Sequence, residues 1–159
     1  MAKMRAVAPD ELGALPIQIH ERVELRCTPA ELFASFTRDA DWKQWLNITV
    51  ERTSAGDYRE GFTRRVRSGP LALDEVFTVW APGERMAFYM EYGNLPLFRA
   101  FAEDWCVSPR EGGCTLDWRV GIEARVLGRL ALPALRRNLL QGARDGFPKL
   151  EALATGTPG

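Results

Sequence analysis

Four charged residues stand out because each occupies the apolar phase of a segment that alternates like a β-strand. Large apolar residues lie two positions away on both sides of each of them: Glu21, Arg64, Glu75 and Glu103. An isolated charge in apolar surroundings is strongly unfavourable, so these side chains must pair, reach water or bind a ligand. A carboxyl group held in such a place has a raised pKa and can serve as an acid or a base.

Turn positions predict how these strands pair, because residues equidistant from the centre of an antiparallel turn face one another. A turn centred at residues 69–70 places Arg64 opposite Glu75, and the next turns extend this row to Tyr92 and Arg99. One interpretation is a polar row that orients the oxygen or carboxylate of a ligand in an apolar pocket. The alternative is a ladder of ion pairs among Arg64, Glu75 and Arg99 near the pocket rim.

Glu103 differs from this row because the same registers surround it with aromatic side chains. They place Glu103 opposite Phe88 on one neighbouring strand and opposite Trp118 on the other. We therefore expect a raised pKa, which makes Glu103 a candidate catalytic acid or base, with Glu75 as a further candidate. Contact with a water molecule is the alternative that the sequence leaves open.

The histidine and cysteine content argues against several kinds of catalytic centre. His20 is the only histidine and lies in the polar phase of its strand, which disfavours a serine–histidine–acid triad and rules out a multi-histidine metal site. The cysteines Cys27, Cys106 and Cys114 are odd in number and lack tight spacing, so no disulfide framework is expected. We predict neither a metal nor a cofactor.

The N-terminal part of the chain predicts one strand and two short helices. Residues 17–25 alternate between apolar and polar side chains, which indicates a half-buried strand. Thr28 followed by Pro29 predicts a helix start, with the hydroxyl as cap and the proline at the first helical position. A second short helix carries Trp42 and Trp45, which either shield the mouth of a pocket or anchor this helix on the sheet.

The rest of the chain predicts a run of strands followed by one long helix. Turn residues separate strands that we place near 47–54, 60–68, 71–81, 85–93, 98–108 and 114–124. The C-terminal segment has helical periodicity, with one apolar side formed by Leu127, Leu130, Ala131, Leu135, Leu139, Ala143, Phe147, Leu150 and Leu153.

These elements predict an α+β fold with a strongly curved, seven-stranded antiparallel sheet. The sheet wraps around the long C-terminal helix, and the two short helices lie between the first and second strands. Such a wrap leaves a cavity, and methionine and aromatic side chains suit a cavity that adapts to an apolar guest. The predicted ligand-binding residues are Trp42, Arg64, Glu75, Phe77, Met86, Phe88, Met90, Tyr92, Phe101, Glu103, Trp118 and Leu139.

Length and composition indicate one ordinary globular domain. The chain has 159 residues, 46% hydrophobic content and a formal net charge of zero, so electrostatics gives no support for a nucleic-acid partner. No segment is apolar enough to span a bilayer and the start does not resemble a signal peptide, which predicts a cytoplasmic protein. We expect residues 16–155 to form the domain and residues 1–15 to be a flexible leader.

Five segments, residues 19–23, 28–33, 41–45, 74–85 and 112–118, together resemble a known superfamily. From residue 16 onward the chain is similar to the START-like, or helix-grip, proteins. These include the polyketide cyclase/dehydrase and lipid-transport group and the birch-pollen-allergen-like proteins. The resemblance implies a strand, two helices, six strands and a long C-terminal helix around a cavity. Members include lipid carriers, hormone receptors, aromatase/cyclases and hydratases.

The sequence favours binding of a hydrophobic small molecule, such as a lipid, polyketide or aromatic compound, for carriage or sensing. One alternative is a cyclase or dehydratase that acts on an aromatic or polyketide-like substrate, with Glu103 or Glu75 as acid or base. No catalytic pattern of the aromatase/cyclases matches residue by residue. A second alternative is a protein-interaction or chaperone co-activator module, which requires a filled core and an exposed apolar patch.

Overall fold

A computed structural model describes residues 1–157 of the chain. Within them the elements are β1 (Ala2–Lys3), a 3₁₀ turn (Leu12–Ala14), β2 (Ile17–Leu25), α1 (Pro29–Thr37), α2 (Asp39–Leu46), β3 (Thr49–Arg52), β4 (Thr63–Ser68), β5 (Leu71–Ala81), β6 (Arg85–Gly93), β7 (Phe98–Arg110), β8 (Gly113–Ala124) and α3 (Val126–Thr155). Apart from β1 and the 3₁₀ turn, this is the order that the sequence predicts.

One curved antiparallel sheet forms the body of the fold. Its strands follow the order β2-β8-β7-β6-β5-β4-β3, and β1 pairs with β6 as an additional short strand. Helix α3 packs against α1, α2, β2 and β8. The inner face of the sheet carries the buried aromatic and aliphatic side chains of the main core. The predicted α+β helix-grip class is therefore confirmed.

Local chemistry explains where the two short helices begin and end. Thr28 Oγ1 accepts a hydrogen bond from the Glu31 backbone N–H at 3.2 Å, and the Glu31 carboxylate accepts one from the Thr28 backbone N–H at 2.8 Å. This capping box satisfies two backbone donors at the start of α1. At the end of α2, Asn47 adopts the left-handed conformation with a φ of 57°. Such a residue stops a helix by turning the backbone away from the helical path.

The predicted pairing of Arg64 with Glu75 is confirmed, but the row does not continue as predicted. Glu75 pairs with Met90 and not with Tyr92, because a register shift precedes Glu75 in β5. Tyr92 pairs with Asp74 of β5 on one side and with Lys3 of β1 on the other. Glu75 keeps its place on the inner face beside Arg64, whereas Tyr92 pairs with Asp74 and so leaves the predicted inner row.

The surroundings of Glu103 also differ from the prediction. Glu103 lies opposite Phe88 on β6, as predicted, but on β8 it pairs with Val120 and not with Trp118. Trp118 pairs with Trp105, one step along the same face of β7. Because this slip is of two residues, Trp118 stays beside Glu103 on the inner face.

Arg99 takes no part in the buried row, so the predicted ladder of Arg64, Glu75 and Arg99 is wrong. A register shift at the start of β7 turns the Arg99 side chain outward, where it is 63% exposed and lies 4.0 Å from Glu123. Alternation in one strand does not reveal such a bulge, because the extra residue reverses the phase of only part of that strand.

Residues 1–15 pack against the sheet in this structure, whereas the sequence predicts a flexible leader. Met4 joins the main core, and the next residues form a small second core on the outer face of the sheet. Small residues in β7 and β8 leave room for it, since a Cβ added to Gly121 would lie 2.7 Å from the Leu12 carbonyl oxygen. The buried members of this second core are Val7, Leu12, Leu15, Ala100 and Ala102.

The first turns of α3 do not bury the apolar side predicted for them. Leu127 is 61% exposed, Leu130 is 81% exposed, and Ala131 is exposed as well. Gly128 faces the protein instead and packs against Leu97, which turns the neighbouring leucines to solvent. The later half of the predicted side does enter the core through Ala143, Phe147 and Leu150.

Candidate functional site

A pocket of about 280 Å³ lies between the inner face of the sheet and α3. Strands β4 to β8, the end of α2 and the middle of α3 form its wall, which consists mainly of aromatic and aliphatic side chains. Ser68 and Asn138 belong to this wall and are exposed. The pocket therefore opens to solvent between the β4–β5 turn and α3.

Most of the predicted ligand-binding residues line this pocket. They are Trp42, Arg64, Glu75, Phe88, Met90, Phe101, Glu103, Trp118 and Leu139. Phe77 and Met86 do not line it, because they are enclosed in the core behind the wall. Tyr92 does not line it either and lies next to Lys3, where β1 pairs with the end of β6. That these residues bind a ligand stays a prediction.

The pocket wall also includes residues that the sequence reasoning did not select. Trp105 lies two positions from Glu103 on the same face of β7, and this spacing was a usable signal. Leu46 and Ile48 come from the end of α2 and the link to β3, and Gly142 comes from α3. The sequence does not place these three residues in the pocket, because only the packing of both helices over the sheet brings them there.

Arg64 and Glu75 form a buried ion pair in the pocket wall. Their side chains are 1% and 5% exposed, and Arg64 Nε donates a hydrogen bond to Glu75 Oε2 at 2.5 Å. Burial alone would lower the pKa of Arg64, but the charge of Glu75 helps to outweigh it, and that pKa is raised. Burial raises the pKa of Glu75, whereas the adjacent guanidinium favours its ionised form.

Aromatic rings surround the Arg64 guanidinium. Its central carbon lies 4.5 Å from the centre of a Trp42 ring and 5.0 Å from the centre of the Phe77 ring. A cation over an aromatic face is attracted by the electron-rich ring, most strongly where water is excluded. These contacts and the Glu75 carboxylate together hold Arg64 in one orientation.

Tyr58 connects the ion pair to the protein surface. Arg64 Nη1 donates to the Tyr58 hydroxyl oxygen at 3.2 Å, and this hydroxyl donates to Asp39 Oδ1 at 2.7 Å. Arg52 Nε donates to Asp39 Oδ2 at 2.5 Å. Burial raises the pKa of Tyr58 to about 12, so the hydroxyl keeps its proton at neutral pH. Sequence reasoning missed Tyr58, because it lies between β3 and β4, where no periodicity marks it.

The Glu103 carboxylate lies between two tryptophans that bind only one of its oxygens. Trp118 Nε1 and Trp105 Nε1 both donate to Glu103 Oε2, at 2.8 Å and 3.1 Å. Glu103 Oε1 has no protein hydrogen-bond partner. Within residues 1–157, Trp45 Nε1 is the only side-chain nitrogen or oxygen that is both fully enclosed and without a partner. Glu103 Oε1 therefore keeps some accessible surface. Because Glu103 lines the pocket, Oε1 is the oxygen available to a guest.

The pKa of Glu103 is raised to about 7, first by burial and then by the negative charge of Glu75. The two indole hydrogen bonds and the Arg64 charge act in the opposite direction without cancelling this rise. The result agrees with the rise in pKa that the sequence predicts. A carboxyl group that titrates near neutral pH has both protonation states available for proton transfer.

Trp42 and Trp45 occupy different positions relative to the pocket. Trp42 lines it and donates from Nε1 to the Phe36 carbonyl oxygen at 3.0 Å. Trp45 is buried where α2 meets α3, and a Cβ added to Gly146 would lie 2.5 Å from its carbonyl oxygen. The anchoring role proposed for the pair thus fits Trp45, whereas Trp42 belongs to the pocket wall.

The remaining chemical candidates lie outside the pocket. Glu21 accepts a hydrogen bond from Arg144 of α3 at 2.6 Å, and His20 Nε2 lies 2.9 Å from Asp117 Oδ1. Within residues 1–157, no three histidine, cysteine, aspartate or glutamate side chains are grouped so that they could hold a metal ion. No helix in this described part of the chain has the length and apolarity needed to cross a membrane.

Comparison with known protein families gives a match over most of the chain. The family model for polyketide cyclase / dehydrase and lipid transport matches residues 16–155. An uncharacterized protein of Mycobacterium tuberculosis (strain ATCC 25618 / H37Rv) is 35% identical over 123 residues, which cover 76% of this chain and 72% of that protein. An uncharacterized protein of Mycobacterium bovis matches to the same extent.

Solved structures share the architecture at low sequence identity. TTHA0849 from Thermus thermophilus has a TM-score of 0.71 at 13% identity, with 90% of this chain and 100% of that chain covered. Ara h 8.0201 has a TM-score of 0.69 at 13% identity, with 88% of this chain and 98% of that chain covered. At such identities the similarity concerns the fold alone.

Proposed function

The chain belongs to the polyketide cyclase / dehydrase and lipid transport family, and from this premise we propose that it binds a hydrophobic small molecule in the pocket beneath α3. The observation that carries the proposal is the composition of the pocket wall. Among the residues that the structure describes, the only charged ones in this wall are Arg64, Glu75 and Glu103, and most of the others are aromatic or aliphatic. Such a wall favours an apolar guest, while a few polar atoms can orient it.

Access and adaptability support binding in this pocket. Leu71 and Leu135 belong to its wall and are only partly buried, as expected of residues near an opening. Met90 faces the pocket beside aromatic residues, and the thioether side chain adjusts its shape at little cost. A guest that displaces water from this wall gains free energy roughly in proportion to the apolar area that it covers. Carriage and sensing both require such reversible burial.

Native mass spectrometry of the protein purified from its own host tests this proposal. We expect a retained small molecule on the wild-type protein and its loss in Gly142→Leu, because a Cβ at Gly142 would meet no atom within 4 Å and a larger side chain would extend into the pocket. Exposed Leu130→Ser is the matched control on the same helix and should retain the molecule. Equal retention by wild type and Gly142→Leu would contradict binding in this pocket.

An enzymatic reaction of cyclase or dehydratase type on an aromatic or polyketide-like substrate is the alternative, and Glu103 favours it. Its pKa of about 7 suits an acid or base, and its unpaired Oε1 is open to a substrate. Glu75 is the weaker candidate because its carboxylate is already engaged by Arg64. Glu103→Gln should abolish turnover with little loss of binding, and unchanged turnover in this variant would exclude Glu103 as the catalytic residue.

A protein-interaction or chaperone co-activator module is the less favoured alternative. It requires a filled core, which the pocket of about 280 Å³ argues against. The exposed Val126, Leu127 and Leu130 are the apolar surface such a module could use. A cytoplasmic location and the lack of a nucleic-acid partner or cofactor stay predictions.

A further inference from the structure

Several side-chain atoms in the pocket wall have no protein hydrogen-bond partner within residues 1–157, and two of them belong to Arg64 and Glu103. Glu103 Oε1 is one of them, because both indole N–H groups bind Oε2. Arg64 Nη2 is the other, since the guanidinium uses Nε for Glu75 and Nη1 for Tyr58. Both atoms lack a partner but are not fully enclosed, so each keeps a small accessible surface. Arg64 and Glu103 both line the pocket, and its guest is therefore the natural partner of these atoms.

The charges around these two atoms disfavour an anionic guest. Arg64 and Glu75 neutralise each other as an ion pair, and Glu103 adds a further carboxylate without a second cation among the described residues of the wall. A ligand carboxylate would therefore add negative charge beside two carboxylates that share one guanidinium. Charges interact strongly where water is scarce, so this repulsion weighs more here than on the surface.

An uncharged oxygen meets no such repulsion and can satisfy both atoms. A carbonyl oxygen can accept a hydrogen bond from Arg64 Nη2, and also from Oε1 when Glu103 is protonated. A hydroxyl group can instead donate to Oε1 when Glu103 is ionised. An aliphatic or aromatic hydrocarbon without oxygen leaves both polar atoms unpaired when it displaces water from them, which costs free energy.

The size of the pocket sets a further limit on the guest. Its volume of about 280 Å³ lies near the lower end of the range for pockets that enclose drug-sized ligands, about 300–1,000 Å³. One or two rings, or a short chain, match this volume. A lipid with two long acyl chains exceeds it. Aromatic side chains such as Phe88, Phe101 and Trp118 provide faces against which a ring can pack.

We propose that the pocket selects a small, uncharged ring compound that carries a hydroxyl or carbonyl oxygen, and that it rejects carboxylates while Glu103 is ionised. This inference rests on the proposed ligand-binding function and specifies its ligand class. Arg64 Nη2 and Glu103 Oε1 are the specificity-determining atoms. Glu103 is the group that sets the pH dependence of carboxylate binding.

The groups that face Glu103 come from several elements. Arg64 of β4 and Glu75 of β5 are the charged ones, and Trp105 and Trp118 donate hydrogen bonds from β7 and β8. Helix α3, which lies wholly in the described part of the chain, contributes no ionisable residue to the pocket wall. Protonation of Glu103 therefore removes one negative charge from the site, which should permit a carboxylate to enter.

Equilibrium dialysis with three probes of one ring system tests this selection. The probes are 2-naphthol, naphthalene and 2-naphthoate. At pH 8 we expect 2-naphthol to bind the wild-type protein at least tenfold more tightly than either of the other two. Gly142→Leu should abolish 2-naphthol binding, which places the bound probe in the pocket and not on the surface.

The Glu103→Gln variant separates selection by charge from a merely structural role. A group that titrates near pH 7 changes its protonated fraction about tenfold between pH 8 and pH 6. Lowering the pH over this range should therefore strengthen 2-naphthoate binding to the wild type by up to about tenfold. The Glu103→Gln variant should bind 2-naphthoate at pH 8 as tightly as the wild type binds it at pH 6. Its affinity for 2-naphthoate should change less than twofold between pH 8 and pH 6. Exposed Glu111→Gln is the charge-matched control and should behave as wild type.

The possible outcomes distinguish this inference from the function on which it rests. If 2-naphthoate and naphthalene bind in the pocket as tightly as 2-naphthol, ligand binding stands and the proposed selection is wrong. Selection is also wrong if Glu103→Gln leaves 2-naphthoate binding at pH 8 unchanged. If none of the three probes binds at either pH, both the selection and the proposed binding of small apolar guests are overturned.

Discussion

The charges in this apolar pocket come from three single residues, Arg64, Glu75 and Glu103. Arg64 is held by Glu75, Tyr58 and aromatic rings, whereas Glu103 is held by two indole groups that leave one oxygen free. The guanidinium cannot lose its proton at accessible pH, but a carboxyl group can take one up. The pair and the single carboxylate should therefore respond differently to mutation and to pH.

Removing the counterion of Arg64 should be more harmful than removing both charges. Glu75→Gln leaves a guanidinium that is 1% exposed without an opposite charge, so we expect a loss of about 3–5 kcal/mol in the free energy of unfolding. The double variant Arg64→Met, Glu75→Gln should lose less, because it removes both members of the ion pair and leaves neither of their charges unpaired. Urea denaturation measures both values, and a double variant less stable than Glu75→Gln alone would contradict this account.

Stability should fall as the pH rises through the titration range of Glu103. The folded-state pKa of about 7 lies above the ordinary value of 4.5, so between these values the native state binds more protons than the unfolded chain. The contribution of Glu103 is fully present below about pH 4.5 and is lost as the pH passes 7. The loss is at most on the order of 3 kcal/mol, because Oε1 keeps some contact with the pocket.

The Glu103→Gln variant isolates this contribution. Its amide does not ionise, so its stability relative to wild type should increase from pH 5 to pH 8. Urea denaturation at the two pH values measures the change, and exposed Glu111→Gln controls for the removal of one negative charge. A constant difference between Glu103→Gln and wild type across this range would contradict the raised pKa.

Helix α3 combines two functions along one element. Its first turns expose Leu127 and Leu130, its middle covers the pocket, and its later turns pack on α2. Two glycines lie where the part of α3 that covers the pocket gives way to the part that packs on α2. Gly142 borders open space in the pocket, whereas Gly146 fits directly against the Trp45 backbone.

The two glycines of α3 should respond oppositely to the same substitution. Gly142→Ala adds a methyl group where no atom lies within 4 Å, so we expect a gain of about 0.5–1 kcal/mol from helix propensity. Gly146→Ala places a Cβ 2.5 Å from the Trp45 carbonyl oxygen and should cost about 1–3 kcal/mol. Thermal unfolding of both variants checks the opposite signs, and equal effects would contradict the described helix contact.

At the scale of the whole molecule, the sheet is covered on both faces. Helix α3 and the short helices cover the inner face, and residues 1–15 cover part of the outer face around Ala100 and Ala102. Residues 1–15 can pack there because Ala100 and Ala102 are small. In a half-exposed strand, positions on the outer face usually carry polar side chains. The predicted division of the chain at residue 16 thus separates segments that share a packed surface.

The N-terminal segment should contribute measurably to stability. Leu12 is 4% exposed and packs on β8 at Gly121, so Leu12→Ala should lower the free energy of unfolding by about 2–4 kcal/mol. Leu130→Ala, at a position that is 81% exposed, is the matched control and should stay within about 0.5 kcal/mol of wild type. Similar small effects of both variants would support the flexible leader that the sequence predicts.

Local patterns were enough to predict the elements of this fold. The alternation in residues 17–25, the Thr28-Pro29 helix start and the turn residues define strands and helices close to those observed. The pairing of Arg64 with Glu75 was also predictable, because one short turn determines its register. These features depend on interactions between residues close in the chain, and such interactions are visible in the order of side chains.

Only the tertiary structure decided how distant segments meet. Bulges moved Arg99 out of the buried row, and packing across the molecule brought Tyr58, Ile48 and Gly142 to the site or its border. The sequence by itself was enough to predict that Arg64, Glu75 and Glu103 lie on the inner face of the sheet. Which of those charges are paired and which atom stays free depend on side-chain geometry across strands and helices, and no periodicity in one segment encodes that geometry.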